Sequence, residues 1–240
     1  MMMMWSGNTI GLDKFIDLLV NDTFKFTLAS IATDKNEILW ILKALEDDPK
    51  MKNDSKTNKN AKLHIDKIRH STYISCWTKK EHESRSLWAN YMDSSKQGVA
   101  IKSTVYDFKE SIEWGNYGFS SHIIDYRNEF NIEELQSNII VLNTKSTAYI
   151  EETEVRFTIN GVYDIPYKTP EKYSEDLIQY YNSVKTRPKV IEVKIDTHKL
   201  INELLISPFC SPWQRKNIIK LIETFKPKLT DKIAHSIINE

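Results

Sequence analysis

Apolar positions recur along the chain with two different periods. From Asp13 to Val20, Phe15, Ile16, Leu18 and Leu19 fall on one stripe, which predicts an amphipathic helix. From Thr23 to Leu28 the period changes to two, with Phe24, Phe26 and Leu28 on one face, so a strand follows. Helical spacing returns over Ile38–Leu45, Leu63–His70, Ser84–Met92 and Val105–Ile112. Between these, Thr72–Trp77 and Gly98–Lys102 read as strands. Ser120–Tyr126 is extended, and Ile132–Ser146 carries helical spacing, although Ile139 to Leu142 would also suit a strand. Val155–Ile159 and Val190–Ile195 alternate clearly. Leu204–Ser207 reads as a short strand, Trp213–Phe225 as an amphipathic helix, and a last short helix follows Pro227.

Two stretches break the pattern. Residues 47–60 are almost entirely polar and contain Pro49, so a surface loop is expected there. Residues 161–188 are rich in Tyr, Pro and charge, and are expected to fold over the core as an excursion or lid. No linker or repeat divides the chain, so residues 1–240 are expected to form a single domain. Strands and helices are interleaved, but the helices are short, and no Gly-rich strand-to-helix turn of the P-loop or dinucleotide-binding kind occurs. The expected fold class is α+β, an irregular mixed sheet core flanked by short helices.

Composition adds little to this picture. Lys plus Arg and Asp plus Glu number 33 each, so net charge points to neither nucleic acid nor a membrane surface. No run reaches the roughly 18 apolar residues that a membrane span needs. The start of the chain lacks the basic and apolar regions of a secretory signal, so a cytoplasmic protein with no membrane partner is expected. The two cysteines, Cys76 and Cys210, lie far apart, and His64 and His70 are not at the i, i+4 spacing of a helical zinc pair. No metal site is expected.

The densest candidate chemistry is Glu152-Thr153-Glu154-Val155-Arg156. In a strand, Glu152, Glu154, Arg156 and Thr158 would share one face while Val155, Phe157 and Ile159 point into the core. Two carboxylates so close raise one another's pKa unless a cation offsets them, and Arg156 could do so or bind a phosphate in fork geometry. A charged solvent face of an ordinary strand would look the same. A second candidate combines Ser75, Cys76 and Trp77 with Glu83, Ser84, Trp88 and Tyr91, where Ser84, Trp88 and Tyr91 fall on one helical face. Such aromatics could stack on a nicotinamide or a base, or simply pack. Cys76 has no histidine at a pairing distance in sequence, so it is a poor nucleophile candidate. Asp34, Asn36 and Glu37 could line a site or cap a helix.

In order and spacing these segments resemble the bacterial domain-of-unknown-function family 2971. The resemblance rests on Trp5, Asp13 to Leu19, Asp34-x-x-Glu37, Tyr73-x-Ser75-Cys76-Trp77, Glu83-Ser84 and Leu87-Trp88-x-x-Tyr91. It continues through Gly98 to Thr104, Ile124-Asp125-Tyr126, Lys145, Tyr149, Glu152-x-Glu154-x-Arg156, and Val193 to Trp213. That family is similar to ADP-ribosyltransferases, which implies an ADP-ribosyltransferase-like fold with NAD as substrate. The resemblance implies Glu154 as the carboxylate that stabilises the oxocarbenium-like transition state and Glu152 as the group that orients or deprotonates the acceptor. It further implies Ser75 as support for the carboxylate, with Trp5, Trp77, Trp88, Tyr91 and Arg156 at the cofactor. Relatives usually follow the opening Trp with Arg-Tyr, whose arginine binds NAD, whereas Trp5 precedes Ser6-Gly7, leaving Lys25 or Arg156 as substitutes. The acceptor would be a protein or nucleic acid, the setting a toxin or phage-defence effector with an antitoxin or regulatory partner. An NAD glycohydrolase, a non-catalytic binding or regulatory module, and a magnesium-dependent nuclease are the alternatives.

Overall fold

The computed structural model describes residues 3–5, 10–32, 41–44, 46–49, 55–92, 97–115, 117–129, 140–160 and 187–238, without the side chains of residues 3–5, 10, 55–57, 91 and 160. Its centre is a mixed, mainly antiparallel sheet with helices on both faces.

Strand β4 (Tyr73–Thr78) organises the sheet. Along one edge it pairs through all six residues with β9 (Glu154–Asn160), which in turn carries β6 (Gly118–Ile123) on its outer side. The other edge of β4 forks. Its first residues pair with β3 (Thr23–Leu28), which carries β10 (Val190–Lys194). Its last residue, Thr78, pairs with Trp5 of β1 (Met3–Trp5), which leads to β5 (Gly98–Thr104). Strand β5 also pairs with β2 (Ile10–Gly11) and with β11 (Glu203–Ile206), and β11 carries a two-residue parallel strand, β12 (Ile233–Ala234). Strands β7 (Asp125–Tyr126) and β8 (Thr144–Lys145) form a separate parallel pair.

One face of the sheet holds the main core. Tyr73, Trp77, Val155, Phe157, Ile159, Val99 and Ile101 meet α1 (Leu12–Asn21), α5 (Val105–Ser111) and α8 (Pro212–Phe225) there. Phe108 of α5 stacks on Phe157 at 4.1 Å and meets Trp77 edge-on at 5.1 Å. Helix α1 stops at Asp22, whose left-handed φ of 49° ends the turn. The Asp22 carboxylate then accepts from Thr197 Oγ1 (2.6 Å), in the short helix α7 (Thr197–Leu200), and from Lys226 Nζ (2.5 Å).

The opposite face is divided. Near Ile74 it is covered by α3 (Ser55–Ser71) and α6 (Ile140–Asn143), with Ala29 of α2 (Ala29–Ala32) and Ile41 closing the cluster. Near Ala100 and Leu205 it is covered by Trp88 of α4 (Arg85–Tyr91).

Most of the expected elements are present within two residues of their expected ends. Three differ. Helix α3 begins at Ser55, inside the expected 47–60 loop. Packing of Ala61, Ile65 and Ile68 carries that helix back through Lys59 and Asn60, which stay exposed. Ser120–Tyr126 is not one strand: Ile124 still donates its N–H to the Glu154 carbonyl, but the Glu154 N–H goes to the Tyr126 hydroxyl instead of back to Ile124, and the ladder ends between β6 and β7. Within Ile132–Ser146, residues 140–143 are helical and Thr144–Lys145 pair as a strand. The expected Asp34–Glu37 knot, residues 161–186 of the expected lid, and residues 132–139 lie outside the described residues.

Candidate functional site

A cluster of four charges forms where β9 begins. Glu154 is the first residue of β9 and is 2 % exposed, and Arg156 is 1 % exposed. The Arg156 guanidinium donates through Nε to Glu154 Oε1 (2.7 Å), through Nη2 to Glu154 Oε2 (3.2 Å) and through Nη1 to the Leu142 carbonyl (2.7 Å). Lys145 Nζ, brought in by β8, lies 2.6 Å from Glu154 Oε2 and 2.8 Å from Glu152 Oε2. The Lys145 ammonium also stands over the Tyr149 ring, 5.2 Å from its centroid.

Glu152 reaches this cluster from outside the strand. It ends a 3-10 turn, Thr147–Glu152, and Thr153 follows with a left-handed φ of 43°. That conformation is costly for a β-branched residue, on the order of 1–3 kcal/mol, and persists where surrounding contacts enforce it. Here Thr78 enforces it: its Oγ1 donates to the Glu152 carbonyl (2.7 Å) and lies 2.9 Å from Thr153 Oγ1. Lys79 N–H donates to the Thr153 carbonyl from the same stretch (2.9 Å). The expectation that Glu152 and Glu154 share a face through strand alternation is therefore corrected. The left-handed turn, not the pleat, brings them to one lysine.

The electrostatics follow from this packing. Burial alone pushes the Glu154 carboxyl up, but the charges of Arg156 and Lys145, with hydrogen bonds from Arg156 and the Cys76 thiol, hold it down at about 2. Burial and then the Glu154 charge push the Cys76 thiol far above its ordinary range. Burial raises the Tyr126 phenol to about 12, and its oxygen accepts the Glu154 backbone N–H at 2.7 Å. His122 pairs with Arg156 across β6 and β9, and burial followed by that positive charge lowers its pKa. The site thus keeps Glu154 ionised while Cys76, Tyr126 and His122 stay neutral near pH 7.

The remaining expected site residues are scattered. Ser75 and Trp77 lie on the opposite face of β4, since Ser75 pairs with Phe157 and Trp77 with Val155. Trp77 Nε1 donates to Ser75 Oγ (2.9 Å), which satisfies an indole within the main core. Neither side chain meets the charge cluster, so the expected support of the carboxylate by Ser75 and the expected cofactor contact of Trp77 are corrected. The period of two that made Trp77 a strand residue also sends it away from Glu154. Trp88 does lie over the Glu154 side of the sheet, by register through Thr78, Trp5 and Lys102 to Ala100. It is 2 % exposed there and donates to Glu83 Oε1 (3.1 Å). Arg156 was expected either to offset the carboxylates or to bind a phosphate, and its guanidinium does the first, committed to Glu154 and the Leu142 carbonyl. Lys25 of β3, the other expected substitute for the missing arginine, is paired with Asp17 of α1 at 2.7 Å. Trp5 sits in β1 between Thr78 and Lys102, and Tyr91 ends α4; their side chains lie outside the described ones.

Lys145 and Tyr126, which the resemblance named without a role, belong to the neighbourhood, and the structure adds Thr78 and His122. Lys145 precedes Glu152 by seven residues, a same-face spacing in an α-helix, but the residues between them are the end of β8 and a 3-10 turn. Its role depends on the β7–β8 pairing and the 3-10 turn that follow it. Among the described residues, no group of three or more His, Cys, Asp or Glu side chains is placed to hold a metal ion. Among them, too, no helix is long and apolar enough to cross a membrane. The chain matches no protein-family model, no curated protein and no solved structure.

Proposed function

We propose that this chain is an ADP-ribosyltransferase-like protein that takes NAD as substrate, with Glu152 as the carboxylate that meets it. The observation that carries this reading is the exposure gradient across the cluster. Glu154 and Lys145 side chains are 3 % and 5 % exposed, whereas Glu152, on the same ammonium, is 21 % exposed. Breaking the bond between the ribose anomeric carbon and nicotinamide leaves positive charge on the sugar, which a fixed anion stabilises. Glu152 is an anion that a ligand can reach. Nicotinamide departs with the bonding electrons, the anomeric carbon bonds to an acceptor oxygen or nitrogen, and the acceptor proton passes to the carboxylate.

The family resemblance gives the central part to Glu154, but both of its oxygens already accept from Arg156 and Lys145. We assign it the role of holding Lys145, and through it Glu152, in place. Lys80, which reaches Glu151 at 3.4 Å beside the same turn, is a partly exposed cation suited to the NAD pyrophosphate. The acceptor is a protein or nucleic acid, and a toxin or phage-defence role suits such chemistry.

Calorimetry with millimolar NAD and a nicotinamide-release assay test the reading together. The wild-type protein binds NAD, and Glu152→Gln lowers nicotinamide release by at least about 100-fold, in line with loss of one aligned catalytic group, while the fold is kept. Absence of NAD binding at millimolar concentration sinks it.

A second reading, a binding or regulatory module without catalysis, is favoured by one observation: the two acids and two bases of the cluster pair with each other. Under it the cluster is architectural, and Glu152→Gln changes neither NAD binding nor any phenotype in cells.

A further inference from the structure

A second carboxylate, remote in sequence from β9, holds a different object. Glu83, just ahead of α4, accepts from Trp88 Nε1 (3.1 Å), from Ser236 Oγ (2.9 Å to each oxygen) and from the Ile237 backbone N–H (2.6 Å). Ser236 Oγ in turn accepts the Ile238 N–H at 3.1 Å. One side chain thus grips the backbone of residues 236–238. Upstream, β12 joins β11 through just two parallel pairs, Leu204 with Ile233 and Leu205 with Ala234. Ala234 and Ile238 pack with Trp88, Ala100, Leu205, Met92 and Phe209, while Ile237 is 68 % exposed. Exposed His235 and Ile237 alternate with partly buried Ala234, Ser236 and Ile238 along the segment.

Main-chain pairing to a sheet edge, alternate residues in an apolar cleft and a carboxylate on a hydroxyl and an N–H are the parts of a peptide-binding site. Here a segment of the same chain occupies it. Its attachment is short beside the core: a two-residue parallel ladder, one carboxylate and the packing of Ile233, Ala234 and Ile238. We propose that residues 233–238 are a releasable strap, a peptide ligand bound in cis. Its departure opens the Trp88 cleft and the β11 edge to an extended peptide of alternating small, hydroxyl and aliphatic residues. This holds whether or not the chain uses NAD.

Hydrogen exchange on the full chain tests it. The Ile237 and Ile238 amides exchange through local opening, at least about tenfold less protected than those of β5 and β9. Glu83→Gln has an amide that accepts at one oxygen only and presents N–H groups to N–H groups. It speeds exchange at Ile237 and Ile238 by about 10- to 100-fold, the effect of losing charge-assisted hydrogen bonds, and leaves β9 unchanged. With 5-fluorotryptophan incorporated, the Trp88 signal, assigned through Trp88→Phe, shifts on adding millimolar synthetic peptide of residues 231–240. Exchange of Ile237 and Ile238 only by global unfolding overturns the strap, and that wild-type result decides the matter if Glu83→Gln does not fold. Unchanged exchange in a folded Glu83→Gln overturns it equally, and an unmoved Trp88 signal overturns the peptide site.

Discussion

Replacing Glu154 by Gln removes the negative charge at the centre of the cluster and leaves Arg156 and Lys145 facing Glu152 alone. The cost follows from the carboxyl's own titration. Its pKa falls from an ordinary 4.5 to about 2 in the folded chain, a difference that corresponds to about 3 kcal/mol of stability. Breaking a buried ion pair by removing one partner costs about 3–5 kcal/mol, in the same range. The pH dependence has a definite sign. A carboxyl whose pKa is depressed by folding contributes its stability above the unfolded value, and that contribution is lost as pH falls toward the folded value. Wild type should therefore exceed Glu154→Gln by about 3 kcal/mol near neutrality, and the gap should close between about pH 5 and about pH 2 as the carboxyl protonates. Urea unfolding followed by tryptophan fluorescence across that range measures it, with the slope against denaturant checked for constancy. A gap below about 1 kcal/mol at neutral pH, or one that does not change with pH, would refute the assignment of Glu154 as an ionised structural anchor. The result also bears on function. Loss of activity in Glu154→Gln can come from unfolding, so Glu152→Gln, with a partly exposed pair costing roughly 0–1 kcal/mol, is the sharper catalytic probe.

Ser75→Ala leaves the buried Trp77 indole N–H without its acceptor and should lower stability by about 1–3 kcal/mol. Because Ser75 lies on the far face of β4, NAD affinity, where calorimetry detects it, should not change; a weakened affinity with intact stability would place Ser75 in the site after all. The Cys76 thiol, its thiolate disfavoured by burial and by Glu154, should resist iodoacetamide in the native protein at mildly alkaline pH and react on unfolding. Mass spectrometry of the alkylated protein reads this directly, and rapid native labelling at Cys76 would contradict the hydrogen bond to Glu154.

Much of the sheet was legible because alternation is a local signal. Phe24, Phe26 and Leu28 marked β3 to the residue, and Val155, Phe157 and Ile159 marked β9 to within one residue at either end. The charged face of β9 was legible for the same reason. Its meaning was not, because burial of Glu154 and Arg156 depends on α6 arriving with the Leu142 carbonyl and β8 arriving with Lys145. Neither contact leaves a periodic trace. The same alternation also determines that Ser75 and Trp77 face away from Glu154, once the β4–β9 register is known. Of the face that helical spacing gave to Ser84, Trp88 and Tyr91, Trp88 is buried, and its cover, the strap at Ala234 and Ile238, lies more than a hundred residues later in the chain.

Strand β9 alternates the charged Glu154 and Arg156 with the apolar Val155, Phe157 and Ile159, and this bears on assembly of the sheet. A slip of one residue against β4 would turn Glu154 and Arg156 together into the ring cluster of Phe24, Trp77 and Phe108 and set Phe157 against Lys145 in their place. The pair would enter that setting stripped of Lys145 and of the Leu142 carbonyl, and a buried ion pair without its further hydrogen bonds is costly, so the misaligned sheet is excluded more strongly than an all-apolar strand would exclude it. The four charges act in folding as a key that admits β9 in one alignment, whatever chemistry they serve afterwards.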